Sequence, residues 1–357
     1  MRDRHDPCRR ASLADTVEAA TRAVPLPCGG RVTWEPGGQL EVSSHPYEGA
    51  TDACRAAAAD TLALGVALGS RGFDLVGVGH DPLRTPERLL QAPRYEAMEG
   101  FFRSMGGDPL HAMCSTAAIQ VNLEPGADPG DVERRWRRAH LLGPVLMAAF
   151  ANSPLSGGRP TGLRSTRAAR WRQLDPSRTA PAFRGGTAAD DWYRYVIDAL
   201  VMLIRRDDQH HIALDRRLPF GRWLESGHEL GWPTEDDLAY HLSTLFPPVR
   251  PKGWLELRFL DALPHLWWPV AVTLSALLMD DTEAAERAER AAAPAAGLWD
   301  EAARSGLSHP VLGDAASACF AVALDHDPSP LTAAYHDRYV ARGRVPADDL
   351  LEEYAWT

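Results

Sequence analysis

Two charged residues one position apart, Glu256 and Arg258, lie in the run Trp254 to Leu260 among apolar and aromatic neighbours. An arginine presents a rigid fork of donors that fits phosphate. A carboxylate beside it can hold a hard cation such as Mg²⁺, which takes a few protein carboxylates and fills its shell from substrate phosphates and water. Two further segments carry oxygen donors where apolar residues would be expected: Glu35 and Glu41 in Arg31 to Ser43, and Gln120 and Asn122 in Met113 to Leu123. Each segment alone fits an amphipathic strand with a wet outer face, and Glu256 with Arg258 alone fits a cross-strand ion pair. Taken together, the three favour a sheet whose polar face holds a magnesium nucleotide.

The positioning elements follow from side-chain alternation along strands. In the first run Trp254, Glu256, Arg258 and Leu260 share one face, and Leu255, Leu257 and Phe259 the other. Met113 to Leu123 reads as a buried strand with Gln120 and Asn122 on one face. Arg31 to Ser43 reads as two short strands around Pro36-Gly37-Gly38. Glu35 and Glu41 have the same parity, but a continuous strand would hold them roughly 20 Å apart, too far to share one ion. Either the break folds them together or they serve different ions.

Helical spacing marks Ser12 to Val24, Asp52 to Arg71, Arg94 to Met105, Asp131 to Phe150, Asp190 to Arg205, Pro269 to Met279, Thr282 to Arg304 and His309 to Asp325. Asn152 to Arg164, rich in Gly and Pro, must be a loop. The pattern predicts an α+β fold with strands scattered through the first 260 residues and a helical C-terminal third. No linker separates autonomous units, so residues 1–357 read as a single domain.

A net charge of −10 argues against a nucleic-acid partner. The Arg-rich stretch Glu133 to Arg138 reads as a solvated helix face. The 5 cysteines are widely spaced, with no CxxC pair, which suggests neither a zinc site nor a disulfide framework and points to a reducing, cytoplasmic setting. No run of 18 uncharged apolar residues argues for a membrane span.

The segments EPGGQLEVSS, RYEAMEGFF, MCSTAAIQVNLE, FANSPLSGGRPTGLRSTRAARW and LFPPVRPKGWLELRFLD are together similar to the actinobacterial glutamate–cysteine ligases of the ergothioneine pathway, in the glutamate–cysteine ligase superfamily. The resemblance runs in order from about Ser12 to beyond Asp281. It implies a glutamine-synthetase-like fold, mainly an antiparallel curved sheet with helices on its outer face. It implies an ATP- and Mg²⁺-dependent ligation of L-glutamate to L-cysteine through γ-glutamyl phosphate, with ATP as co-substrate. By position, Glu41 and Glu256 resemble metal ligands, Glu35 occupies a further acidic position, and Gln120 faces the metal–phosphate group. Arg258 resembles the arginine that stabilises the transferring phosphoryl group. Arg164 and Arg167 are candidates for the glutamate α-carboxylate, or else surface charges on a loop. Arg250 reaches a phosphate or caps the sheet, and Asn122 joins Gln120 as a substrate-binding candidate.

In one respect the chain departs from the pattern. Relatives begin with a strand carrying G-x-E-x-E, whose glutamates bind Mg²⁺, and no such strand precedes Arg31. The departure implies a mis-chosen start codon or a real truncation, and it supports an alternative reading as an inactive nucleotide-binding relative. A ligase making another γ-glutamyl amide is a second alternative, because its catalytic residues would be the same.

Overall fold

The computed structural model describes residues 1–207, 210–214 and 217–354. About 53% of the chain is helical and the sheets are small and antiparallel. The α+β class therefore holds, but the broad curved sheet expected at the centre is replaced by a three-stranded one, with no closed barrel among the described residues.

Five strands position the site. β1 (Arg31–Trp34) and β2 (Leu40–Ser43) form a hairpin. β3 (Ala118–Leu123), β4 (Val249–Pro251) and β5 (Leu255–Asp261) form an antiparallel sheet in the order β4-β5-β3. Across it, Arg250, Glu256 and Asn122 stand in one row.

β5 is not regular. Leu257 pairs with Val121 and Leu260 with Ile119, so Arg258 and Phe259 together oppose Gln120. Such a bulge reverses the alternation beyond it. Leu260 joins Leu255 and Leu257 on the apolar face, and Asp261, paired with Ala118, comes to the polar one. This corrects the regular reading, which placed Leu260 beside Glu256 and Arg258.

The strand β3 also starts late. Pro109–Ser115 is a helix, with proline in its first turn, and the expected strand residues Met113 to Ser115 are its last. Thr282 to Arg304 is likewise not one helix. Thr282–Ala292 and Trp299–Ser305 are separated by a turn around Pro294, which lacks the amide hydrogen a helix interior needs.

The apolar face of the sheet packs on the long helix Pro129–Ala149 and on the helix Trp268–Asp280, and Pro310–His326 packs against those helices in turn. Val121, Leu255, Leu257 and Leu260 share one continuous core with Trp136, Leu146, Leu274 and Phe320. Burying each such side chain contributes roughly 1.5–3 kcal/mol. With that face filled, the polar face of β5 is free to line a cleft. The hairpin has its own smaller core: Val32, Trp34, Leu40 and Val42 pack with Leu64, Leu68 and Phe73.

Of the stretch Glu133 to Arg138, Arg134 and Arg137 are exposed as the solvated-face reading expects, but Arg135 and Arg138 depart from it. Both are buried, and both donate to the carbonyl of Met279 (3.0 and 2.9 Å) near the end of Trp268–Asp280. They pair with Asp280 and Glu289. Cations are favoured at a helix C-terminus, and that terminus comes from a distant part of the chain.

Candidate active site

A cleft of about 500 Å³ opens between the hairpin and the polar face of β5. Of the nine candidate residues, Glu35, Glu41, Gln120, Arg167, Arg250, Glu256 and Arg258 line it. Asn122 and Arg164 do not.

The Pro36-Gly37-Gly38 break resolves the spacing of the two glutamates. The Glu35 amide donates to the Gln39 carbonyl (2.9 Å) and the Gly38 amide to the Glu35 carbonyl (2.8 Å), closing a hairpin. Gly38 has φ +78, which side chains resist, and an added Cβ at Gly37 would collide with the Cys114 backbone. The Gln39 amide then ties the turn to the carbonyls of Met113 (3.3 Å) and Thr116 (3.0 Å). Thr33 opposes Glu41, so Glu35, two residues on, lies diagonally across the same face. The Glu35 side chain is exposed toward the cleft, but the walls around it still desolvate it. That confinement, and then the Glu41 carboxylate, push its carboxyl above the usual range; Arg258 and Arg94 oppose the shift. Two carboxylates are thus held close enough to repel each other, an arrangement that a cation relieves.

Facing them is a row of opposite sign. Glu256 is buried, and its Oε2 accepts from Arg250 Nε at 2.6 Å and Arg258 Nη1 at 3.0 Å. Burial alone would raise its carboxyl; Arg258 and Arg250 more than reverse that and hold it below the ordinary carboxylate range. Arg250 is fixed further by the Leu245 carbonyl (2.9 Å). Burial and the neighbouring Arg258 lower the Arg250 guanidinium from its ordinary value, though an arginine stays charged at neutral pH. Gln120, in the orientation that satisfies both ends of its amide, donates to Glu256 Oε1 and accepts from Arg258 Nη1, each at 3.3 Å. Arg258 also lies 6.0 Å over the Phe246 ring.

Two candidates are placed elsewhere. Arg164 pairs with Asp348 at 2.7 Å. The amides of Arg164 and Ser165 both donate to the Ala303 carbonyl, which ties this part of the loop to the C-terminal helices and turns Arg164 away from the cleft. Asn122 is in register with Glu256, but its side chain is exposed. Two residues beyond Gln120, it has moved roughly 7 Å along the strand. Arg167 lies near the start of the helix Thr166–Leu174 and is buried against the cleft.

Sequence reasoning missed Asp261, which is buried at the end of β5 and bonded to Arg167. Lys252, in the β4–β5 turn, was also missed and adds a cation to the lining. Arg94 and Tyr95, within the segment RYEAMEGFF, also line the cleft, where Arg94 donates to Ser243 (3.0 Å) and stacks over Tyr240 (4.9 Å). His241, also on the approach to β4, is a core residue: its Nε2 bonds the Val196 carbonyl, and burial pushes its imidazole down to about 3.

Among the described residues no three His, Cys, Asp or Glu side chains form a ready ligand set. The donors nevertheless fit a hard cation that completes its shell with phosphates. Glu35 and Glu41 are adjacent, and Glu256 Oε1 lacks the charged partners that occupy Oε2. A carboxylate wall opposite an arginine row can bind a metal-complexed polyphosphate and neutralise charge on a transferring phosphoryl group.

The model of glutamate–cysteine ligase family 2 matches residues 2–357. The chain is 42% identical over 355 residues to glutamate–cysteine ligase EgtA of Mycolicibacterium smegmatis, covering 97% of this chain and 83% of that one. Its counterpart in Mycobacterium tuberculosis is 44% identical over 358 residues, with 97% and 82% covered. A chloroplastic glutamate–cysteine ligase of Brassica juncea is 29% identical over 252 residues, 66% of this chain and 48% of its own. With a cleft suited to phosphoryl transfer and a family match that omits only Met1, the chain belongs to glutamate–cysteine ligase family 2 and is a ligase.

Proposed function

We propose that the protein joins the γ-carboxyl of L-glutamate to the amine of L-cysteine at the expense of ATP. The γ-carboxylate oxygen attacks the γ-phosphorus of ATP, and ADP leaves. The cysteine nitrogen then attacks the acyl carbon, the bond to the phosphate oxygen breaks, and phosphate departs while the ammonium protons pass to solvent. The observation that carries this reading is the convergence of Glu35 and Glu41 with Arg250, Glu256 and Arg258 in one cleft.

In this reading Arg258 stabilises charge on the transferring phosphoryl group. Glu256 holds Arg258 and Arg250 in place, Arg250 meets a phosphate, and Gln120 orients the Glu256–Arg258 pair. Glu35, Glu41 and Glu256 would hold Mg²⁺, which, when bound, neutralises phosphate charge. Arg167 binds the glutamate α-carboxylate. A glutamine-synthetase-like origin of the fold, one catalytic unit over residues 1–357, a cytoplasmic setting and supply of the product to ergothioneine synthesis belong to the same reading. It includes no nucleic-acid or membrane partner. The net charge supports the first omission, and no single described helix is long and apolar enough to cross a bilayer.

Glutamate-dependent ADP release should appear with L-cysteine and stay low with a panel of other amines. Turnover only with a non-thiol amine would overturn the cysteine assignment, and binding of Mg-ATP without turnover would favour an inactive relative.

The raised Glu35 carboxyl sets a pH dependence. Any stability this group contributes to the ion-free fold is present below its ordinary pKa and is lost as pH rises through the raised one. Cation binding has the opposite slope, because it needs Glu35 ionised. Calorimetric titration with Mg²⁺ from about pH 5 to about pH 8 should show affinity rising with pH and protons released at the acid end. Glu35→Gln should flatten that slope. An unchanged slope in this variant would assign the proton to another group.

A further inference from the structure

We propose that Asp261 is the positioning residue of the amino-acid subsite: it locks Arg167 so that one guanidinium nitrogen is left for a substrate carboxylate. This rests on the reaction proposed above.

Asp261 is 1% exposed, and four donors reach its carboxylate. Oδ1 accepts from Arg167 Nε (2.6 Å) and Ser165 Oγ (2.9 Å). Oδ2 accepts from the Asn152 amide (2.8 Å) and Ser153 Oγ (2.7 Å). A buried carboxylate persists only when paired and bonded in this way. The fit is close, since a Cβ added at Gly79 would stand 2.7 Å from Oδ2.

Arg167 is held at two nitrogens: Nε by Asp261, and Nη1 by the Arg258 carbonyl at 3.1 Å. Nη2 is buried without a partner among the described residues, on a residue that is 6% exposed and lines the cleft. A charged donor left unbonded inside a protein is costly, and an incoming carboxylate oxygen removes the cost. L-Glutamate carries two carboxylates. The γ-group must reach the phosphoryl donor near Arg258, so the α-group is the one for Nη2. The bond from Nη1 to the Arg258 backbone ties the two anchors together and sets the span between them. The bulge in β5 makes this possible by bringing Asp261 to the same face as Glu256 and Arg258.

The test is steady-state ADP release with L-glutamate, L-cysteine and Mg-ATP varied in turn. Asp261→Asn should raise the KM for glutamate about 10- to 100-fold, while the KM for ATP stays within about twofold. Added to Arg167→Ala, it should have little further effect, because both changes remove one unit. Ser165→Ala keeps the charge and removes one bond to Oδ1 together with the helix-cap bond from the Ala168 amide (3.2 Å); it should raise the glutamate KM a few-fold alone. This milder variant decides the matter should Asp261→Asn not fold. Equal rises in all three KM values, or additive effects in the double variant, would overturn the proposal while leaving the reaction intact. A wild-type enzyme without glutamate-dependent ADP release would overturn the reaction and the proposal with it.

Discussion

Arg258→Ala should lower kcat for glutamate-dependent ADP release by about 10³-fold or more, the effect of removing an arginine that stabilises a transferring phosphoryl group. The change leaves the local backbone intact. The Arg258 amide still donates to the Pro248 carbonyl, and the Arg258 carbonyl still accepts from Arg167. What disappears is the Nη1 bond to Glu256, the bond to the Gln120 amide and the contact over the Phe246 ring, and Glu256 keeps Arg250. Stability should therefore fall by only about 1–2 kcal/mol, and Mg-ATP should still bind. Activity within tenfold of wild type would remove Arg258 from the chemistry.

Glu256→Gln should act on both stability and turnover. The buried carboxylate is the shared partner of two guanidiniums. Removing its charge leaves two cations crowded together, at a cost of about 3–5 kcal/mol. A denaturant melt at neutral pH would read this directly. Turnover should fall by about 10²-fold or more, since Arg258 loses its tether. The sign of the pH dependence follows from the depressed Glu256 carboxyl. Its contribution is present above the ordinary carboxylate pKa and is lost as pH falls through the depressed value. The stability gap between wild type and variant should thus narrow in acid. A gap that stays constant with pH would mean that ionised Glu256 does not stabilise the fold.

Much of this site was legible because it rests on local patterns. The alternation around Glu256 and Arg258 gave the right strand and, up to the bulge, the right faces. Pro36-Gly37-Gly38 marked the turn that unites Glu35 and Glu41, since only a break of that composition lets the chain double back so tightly. The failures share a different origin. A regular alternation carries no sign of a bulge, so nothing marked Asp261, one residue past the expected strand, as the partner of Arg167. Arg164 and Arg167 sit in the same Arg-rich stretch, and only the tie between the loop and Ala303 separates their directions. Arg135 and Arg138 look like surface charges until the end of a helix more than a hundred residues later is packed against them. The run Met113 to Ser115 suits helix as well as strand, and Pro109 tips it to helix. A small, curved or broad sheet cannot be told apart from strand signals alone, because sheet size depends on pairings that no single segment encodes.

The two walls of the cleft belong to different cores. The acidic hairpin is packed by the small cluster around Leu64, Leu68 and Phe73, whereas the arginine row rides on the large helical one. The cleft is therefore a seam. A metal-bound nucleotide spanning it would act as a clasp, adding its binding energy to the weaker unit, which would be the first to come loose whenever the clasp is withdrawn.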